Sequence, residues 1–435
     1  MSRSRFCGSP EHSVNRRAFL GGAAAAGATL AADMTQLNAL AGVPELTKEL
    51  KKTQKRVILL WLAGGASQLE TWDPKPGAST GGPFRAIKTD VPGLMISELM
   101  PKMAQRMKTT CVLRGLDTKN GDHGSAAVTM MRGRRNEANV KYPDLGAVVA
   151  REMGRVESKV PDYVTFYTQT EGRSMAPGDS GFLGSRYAPM ELTTNNIPEF
   201  IRKLDGIDDL DHKERGDLRT LLGAQFGKGR TSDTMNSQNE AYERVRGIMA
   251  SEKLFDISQE PQKVRDRYGA TQFGEQVLLA RRLVEAGVPF VRVGRAWWDS
   301  HGQNFETHQE MVPELDHVMA TLIDDLAERG LSDDVMIVTL AEFGRTPGIN
   351  SSLGRDHFAS AWSSTITGCG IKGGAVYGKT DDKGNKVVAE QVDAGSLFAT
   401  IYSALGINPN KNYYVGSRPI PLVNPGVEAI KAVLN

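Results

Sequence analysis

The sequence predicts an α/β protein with a mostly parallel central sheet and helices on both faces, on three observations. Apolar segments alternate with segments of helical periodicity. The apolar segments are unbroken, as suits strands buried on both faces. Turns bearing glycine, carboxylate and imidazole follow them, and in such sheets ligands bind beyond the carboxyl ends of the strands.

The chain opens on an export signal. Arg16-Arg17 stands ahead of Phe19-Leu20 and a weakly apolar run over 21–32, and Ala39-Leu40-Ala41 offers a small-residue cleavage site. The run is too short and too rich in Gly and Ala for a bilayer core of roughly 30 Å, which takes about 20 strongly apolar residues. Residues 1–41 therefore read as a twin-arginine signal peptide. The translocase is then a partner during export, and the periplasm the destination. About 390 residues remain, which suits a single α/β domain over 42–435.

Within that domain, 57–62 reads as a buried strand ending in Ala63-Gly64-Gly65-Ala66-Ser67, where glycine lets the backbone approach a ligand. A strand follows over 110–113, helical spacing over 126–131 and 145–153, and a short strand over 163–167. From 193 to 267 the chain turns polar and helix-favouring, the mark of a mainly helical insertion. The rhythm then resumes: helix 276–286, strand 290–293, helix 312–329 closed by Gly330, strand 335–340, and helix 394–405 ended by Gly406.

A formal charge of +2 over 435 residues, without a long basic run, excludes the electrostatic footprint of a nucleic-acid binder. Of three cysteines, Cys7 leaves with the signal. Cys111 and Cys369 suit either one disulfide or two buried thiols.

The polar residues that carry chemistry gather after strands: Asp122-His123, Trp298-Asp299-Ser300-His301, Glu342, and Arg355-Asp356-His357. Imidazole and carboxylate together suit zinc or a similar divalent ion, with about three protein ligands and an open position at a catalytic site. Each pair has a plain structural alternative. Glu342 suits a salt bridge with Arg345, Asp122 a helix cap, and Asp299 with His301 a hydrogen-bonded loop. His317 and His212 read as structural or exposed, and His308 begins the approach to a helix.

Further motifs are Gly64-Gly65-Ala66-Ser67-Gln68 with Thr71-Trp72-Asp73-Pro74-Lys75, Glu342-Phe343-Gly344-Arg345-Thr346-Pro347, and Gly368-Cys369-Gly370-Ile371-Lys372-Gly373-Gly374. With the strand-end residues they resemble, over nearly the whole mature chain, the twin-arginine-exported bacterial family called domain of unknown function 1501. That family sits within the alkaline phosphatase and sulfatase superfamily. The resemblance implies that superfamily's fold, with a nucleophile at the head of a helix ending ten residues later in glycine. Ten residues before Gly133 stands His123, preceded by Asp122, which makes this pair the catalytic candidates. His123 is then a nucleophile, a general acid/base or a metal ligand. The helix N-terminus should keep its imidazole neutral.

The same resemblance puts Asp299, His301, Glu342 and His357 at metal-ligand positions, and leaves Arg345 or Arg355 to hold an anionic group. Two departures stand out. No Asp follows the first strand, and Phe343 occupies a position where a second ligand is expected. One metal site is therefore implied rather than two, holding a single divalent ion, with zinc, calcium and magnesium not distinguished. The expectation is an exported metal-dependent hydrolase of a sulfate or phosphate ester, on a small molecule or a polysaccharide. The alternative is a catalytically degenerate binding or surface-assembly protein on the same fold.

Overall fold

An eight-stranded sheet carries the chain, and its centre is the most apolar segment of the sequence. In the computed structural model, which describes residues 54–135, 137–154, 160–166, 169–170, 173–174, 178–192, 198, 209–227 and 252–435, β1 is Arg56–Leu62. All seven of its residues are buried, so both faces of the sheet are covered there. Each large apolar side chain so placed contributes about 1.5–3 kcal/mol.

The other strands are β2 Thr110–Leu116, β3 Tyr163–Phe166, β4 Met190–Leu192, β5 Phe290–Arg295, β6 Val335–Leu340, β7 Trp362–Thr367 and β8 Val376–Tyr377. Their spatial order is β8-β2-β7-β6-β1-β5-β3-β4. β1 pairs in parallel with β6 on one side, Ile58 opposite Ile337, and with β5 on the other, Ile58 opposite Val291. β3 continues the parallel series from β5, β4 from β3, and β8 runs parallel to β2. Only β7 is reversed, antiparallel to both β6 and β2.

The mostly parallel α/β architecture expected from the sequence is thus the one observed, but β7 had no counterpart in the reading. The reason is chemical. β7 is Trp-Ser-Ser-Thr-Ile-Thr, a polar string, yet it lies inside the sheet. Three of its four hydroxyls are satisfied across the strands: Thr365 Oγ1 meets Thr339 Oγ1 at 2.8 Å, Thr367 Oγ1 meets Thr110 Oγ1 at 3.0 Å, and Ser364 Oγ donates to the Thr339 carbonyl at 2.5 Å, while Ser363 Oγ has no partner among the described residues. Buried hydroxyls paired in this way avoid the desolvation cost that an apolar-run criterion assumes.

The helices are α1 His123–Arg132, α2 Leu145–Met153, α3 Asp209–Gly227, α4 Gln262–Tyr268, α5 Gln272–Glu285, α6 Asn304–Glu328 and α7 Ala394–Leu405. α2 and α5 pack directly on β1 and β5. α1 is capped by Asp122, whose side chain accepts from the Ser125 N–H, and it ends on Gly133 in the left-handed region at φ 70°. α7 matches its expected bounds and closes on Gly406 at φ 80°. α6 does not match. It begins at Asn304 rather than at residue 312, and Pro313 lies inside it. The proline forfeits one backbone hydrogen bond, but the two turns ahead of it bury Asn304, His308 and Met311. That burial carries the helix through.

In the expected insertion, α3, the turn Glu252–Phe255 and α4 are helical. Residues 198 and 256–261 are also described, with a short 3-10 turn over Ile257–Gln259. The remainder of 193–267 lies outside the described residues, as do the export signal over 1–41 and Tyr167. The described residues belong to the compact unit Thr53–Asn435. Among them, no helix is long and apolar enough to cross a membrane. Cys111 and Cys369 are both buried free thiols. Burial pushes each thiol up to about 12.

Candidate metal centre

The carboxyl ends of β2, β1, β5 and β6 share one edge of the sheet, and each releases a loop towards the same point. Because β7 runs the other way, its first residue also stands at that edge. The loop from β6 to β7 therefore delivers His357 there, on a two-residue strand paired with Gly344–Arg345. The loop after β5 is pinned to the end of β1: the Trp298 N–H donates to the Ala63 carbonyl at 3.1 Å, with the Trp298 indole fully buried. Gly64 and Gly65 make that approach possible. At φ 106° and 90°, a Cβ on Gly64 would lie 2.5 Å from the Asp299 nitrogen, and one on Gly65 2.7 Å from the Phe343 carbonyl oxygen.

At the meeting point stands Asp299, its side chain only 3% exposed. His357 Nε2 lies 3.1 Å and His301 Nε2 3.2 Å from Asp299 Oδ1, and the two Nε2 atoms are 2.9 Å apart. The opposite ring nitrogens fix the protons. His357 Nδ1 faces the Gly121 carbonyl at 2.7 Å and His301 Nδ1 faces Asp356 Oδ1 at 2.8 Å. Both partners only accept, so both Nδ1 atoms carry hydrogen. In the neutral rings each Nε2 then presents a lone pair to the other and to a carboxylate oxygen. The two lone pairs and the carboxylate oxygen together form a donor set for a cation.

A metal ion fits this donor set. Imidazoles holding their second N–H on a carbonyl or a carboxylate are the usual metal-ligand arrangement. Ligands about 2.0–2.1 Å from a shared tetrahedral zinc stand about 3.3 Å apart, close to the 2.9–3.2 Å separations here. One ligand atom from each of His123, Asp299 and His357 also lies within 4.8 Å of the others.

His123 occupies the first turn of α1, but its imidazole is not neutral as the helix terminus suggested. Nε2 lies 3.1 Å from Asp299 Oδ2 and Nδ1 3.1 Å from Glu342 Oε1. Hydrogen bonding to Asp299, then to Glu342, raises its pKa to about 9. Two carboxylates, one on each nitrogen, outweigh the fractional charge of a helix end. Glu342, expected as a metal ligand, is bonded to His123 Nδ1 at 3.1 Å. Its Oε1 also accepts from the Gly64 N–H at 2.9 Å, while its buried Oε2 has no hydrogen-bond partner among the described residues. Asp122, expected beside His123 in catalysis, turns its carboxylate to Ser125, accepting from its N–H at 2.9 Å and its hydroxyl at 2.7 Å. It is the helix cap.

The two arginines assigned to substrate are structural. Arg345 and Arg355 are both fully buried. Arg345 donates to Asp299 Oδ1 and to the carbonyls of Gly64, Gly65 and Arg355. Arg355 pairs with buried Glu70 at 2.7 Å and donates to the carbonyls of Thr346, Pro347 and Thr80. Neither offers a guanidinium edge to an anion. The Asp missing after β1 has its counterpart here: the backbone of Gly64 and Gly65 binds Arg345, which neutralises Asp299 instead. Phe343 packs its ring on His357 and His123, with centroids 4.3 and 4.9 Å away.

Three supporting roles were not read from the sequence, although Asp356 and His308 were noted there. Asp356 orients His301, and its signal was its place beside His357 in the motif. Asn350 ties the two loops together, its Nδ2 donating to the His301 carbonyl at 2.9 Å and to Asp356 Oδ1 at 3.2 Å. His308, fully buried in α6, donates from Nδ1 to the Asn304 carbonyl and accepts the Ser67 N–H on Nε2, fastening the turn after β1. His317 is half-buried on α6, beside the Lys102 ammonium, and His212 lies in α3.

A family model described as "Protein of unknown function (DUF1501)" matches residues 54–434. No curated protein matches the chain. Similar solved structures include the PsFucS1 sulfatase from Pseudoalteromonas sp., 14% identical with 84% of this chain and 71% of that one covered, at a TM-score of 0.39. Another is the phosphonate monoester hydrolase of Agrobacterium radiobacter, 14% identical over 87% and 77% of the two chains, at 0.36. A third, a protein in the alkaline phosphatase superfamily from Vibrio parahaemolyticus, is 10% identical over 81% and 66%, at 0.35.

The buried His308 makes stability depend on pH. Burial holds its folded pKa down at about 4, against 6.5 for an ordinary histidine. Between those values the unfolded chain binds the extra proton, so stability falls as pH drops from 6.5 towards 4, by up to about 3 kcal/mol. Urea unfolding at pH 7 and at pH 4 should show His308→Gln losing about 3 kcal/mol less than the parent over that interval. Equal losses would place the dependence on other groups.

Proposed function

The chain belongs to the DUF1501 family of proteins of unknown function, and we propose that it is an exported metal-dependent hydrolase of a phosphate or sulfate ester. The observation that carries this reading is the pair of Nε2 atoms of His301 and His357, turned towards each other and towards Asp299 Oδ1 by partners on their Nδ1 atoms. Two imidazoles and a carboxylate suit zinc or a similar transition ion better than calcium or magnesium, which take oxygen ligands. Held there, such an ion supplies Lewis acidity to an ester oxygen.

The chain's own groups do the rest. Asp356 and the Gly121 carbonyl keep His301 and His357 in the Nδ1–H form. Arg345 fixes the Asp299 carboxylate. The positive end of α1, its Ser125 N–H taken by Asp122, lies beside the site with His123 in its first turn. His123, 29% exposed in its side chain and held in the charged form between Asp299 and Glu342, places positive charge beside the negative charge that develops on the ester. The reaction class comes from the sequence resemblance to the alkaline phosphatase and sulfatase superfamily.

A second reading has its own observation. Arg345 already neutralises Asp299, and Phe343 packs against His357 and His123. A protein that keeps this cluster as a binding or assembly surface, without turnover, accounts for both contacts.

Two measurements bear on these readings. Elemental analysis of the purified chain should give close to one ion per molecule. His357→Ala should lose most of it, with turnover of aryl phosphate or sulfate esters falling at least 10²-fold. A well-folded, metal-free parent with no turnover would favour the second reading. For export, replacing Arg16 and Arg17 together by lysine should leave the protein in the cytoplasm. Normal arrival in the periplasm would contradict the twin-arginine route.

A further inference from the structure

Seven non-glycine residues among those described have a positive φ, and four of them stand within four positions of the residues at the metal centre: Lys119, Trp297, Gln303 and Leu353. Strained backbone of this kind persists where the surroundings enforce it, and it gathers at ligand sites. Two of the four are large and apolar, and both face solvent. Trp297, at φ 75°, is 53% exposed, and Leu353, at φ 56°, is 58% exposed. A bulky residue at positive φ is a true outlier, since glycine would adopt that backbone without strain.

Their positions flank the centre. Trp297 is two residues from Asp299, so the two Cα atoms are at most about 7.6 Å apart. Leu353 is bridged to Gly302, next to His301, and its carbonyl accepts the Asn304 N–H at 3.0 Å. The other four tryptophans, Trp61, Trp72, Trp298 and Trp362, are at most 2% exposed. The chain buries every indole except the one beside its centre.

We infer that Trp297 is an apolar platform that binds the ring of the substrate's leaving group, a pyranose or an aryl ring, against the indole face. This rests on the ester-hydrolase reading and specifies the part of the substrate beyond the ester. An indole presents a wide, rigid apolar face at small entropic cost. A ring seated on it carries its ester oxygen towards the centre, whereas a ringless ester gains nothing from the indole.

The platform is testable without turnover, using non-hydrolysable probes on the full chain as purified: methylphosphonate, phenylphosphonate and the phosphonate analogue of glucose 6-phosphate. Calorimetry should show at least one ring-bearing probe binding tenfold or more tighter than methylphosphonate. Tryptophan emission should shift on binding, and by the burial of the other four the signal reports Trp297. The ring that binds identifies the source as aryl or sugar. Trp297→Gly, which relieves the backbone, and Trp297→Ala should each bring the preference to within about threefold while leaving methylphosphonate affinity and metal content unchanged. Trp297→Phe should keep most of it. A parent that binds methylphosphonate but prefers neither ring, or a Trp297→Gly chain that keeps the preference, overturns the platform alone. A parent that binds none of the three overturns the platform and the phosphate-ester reading together.

Discussion

One buried carboxylate organises the functional edge of this protein. Asp299 is almost sealed from water, and an isolated charge in that setting would cost several kcal/mol. Its two oxygens are instead surrounded: Arg345, His301 and His357 address Oδ1, and His123 addresses Oδ2. Each partner is then held by something else. Gly64 and Gly65 fix Arg345, Asp356 fixes His301, the Gly121 carbonyl fixes His357, and Glu342 fixes His123. The carboxylates of Asp299, Glu342 and Asp356 outnumber the charges of Arg345 and His123 by one. The cluster is therefore electrostatically receptive to a cation at the two facing Nε2 atoms.

The architecture follows from bringing these partners to one place. Parallel β1, β5 and β6 put three loops at a single edge, and reversal of β7 returns the chain to that edge for His357. The glycines after β1 let that turn touch the backbone of the β5 loop. Any side chain at Gly64 would collide with Asp299. The buried pair of Arg355 and Glu70 secures the loop that carries Asp356 and His357, and His308 secures the turn after β1. A second tier of buried polar contacts thus positions residues that themselves meet the solvent.

Much of this was legible in the sequence. The strands β1 and β6 and the helix α7 announce themselves by apolar runs and a closing glycine. His123, Asp299, His301 and His357 are marked by sitting just beyond strand ends. The unread parts share a cause. Periodicity reports how apolar a segment is, not how its polar atoms are satisfied. β7 was missed because Ser364, Thr365 and Thr367 find hydrogen-bond partners across the strands, and the start of α6 because burial ahead of Pro313 outweighs one lost hydrogen bond. Arg345 and Arg355 were assigned outward roles because sequence gives a charge but not the direction of the guanidinium. The charge of His123 was misjudged because its two carboxylate partners come from loops about 180 and 220 positions downstream.

The central claim is that His301 and His357 are fixed as Nδ1–H tautomers whose Nε2 atoms share one cation with Asp299. Nitrogen NMR of the histidine-labelled protein loaded with cadmium-113 tests this directly. The expected spectrum shows two imidazoles with protonated Nδ1 and with one-bond cadmium coupling at Nε2. Protonated Nε2 atoms without cadmium coupling at either ring, or coupling through Nδ1, would contradict it.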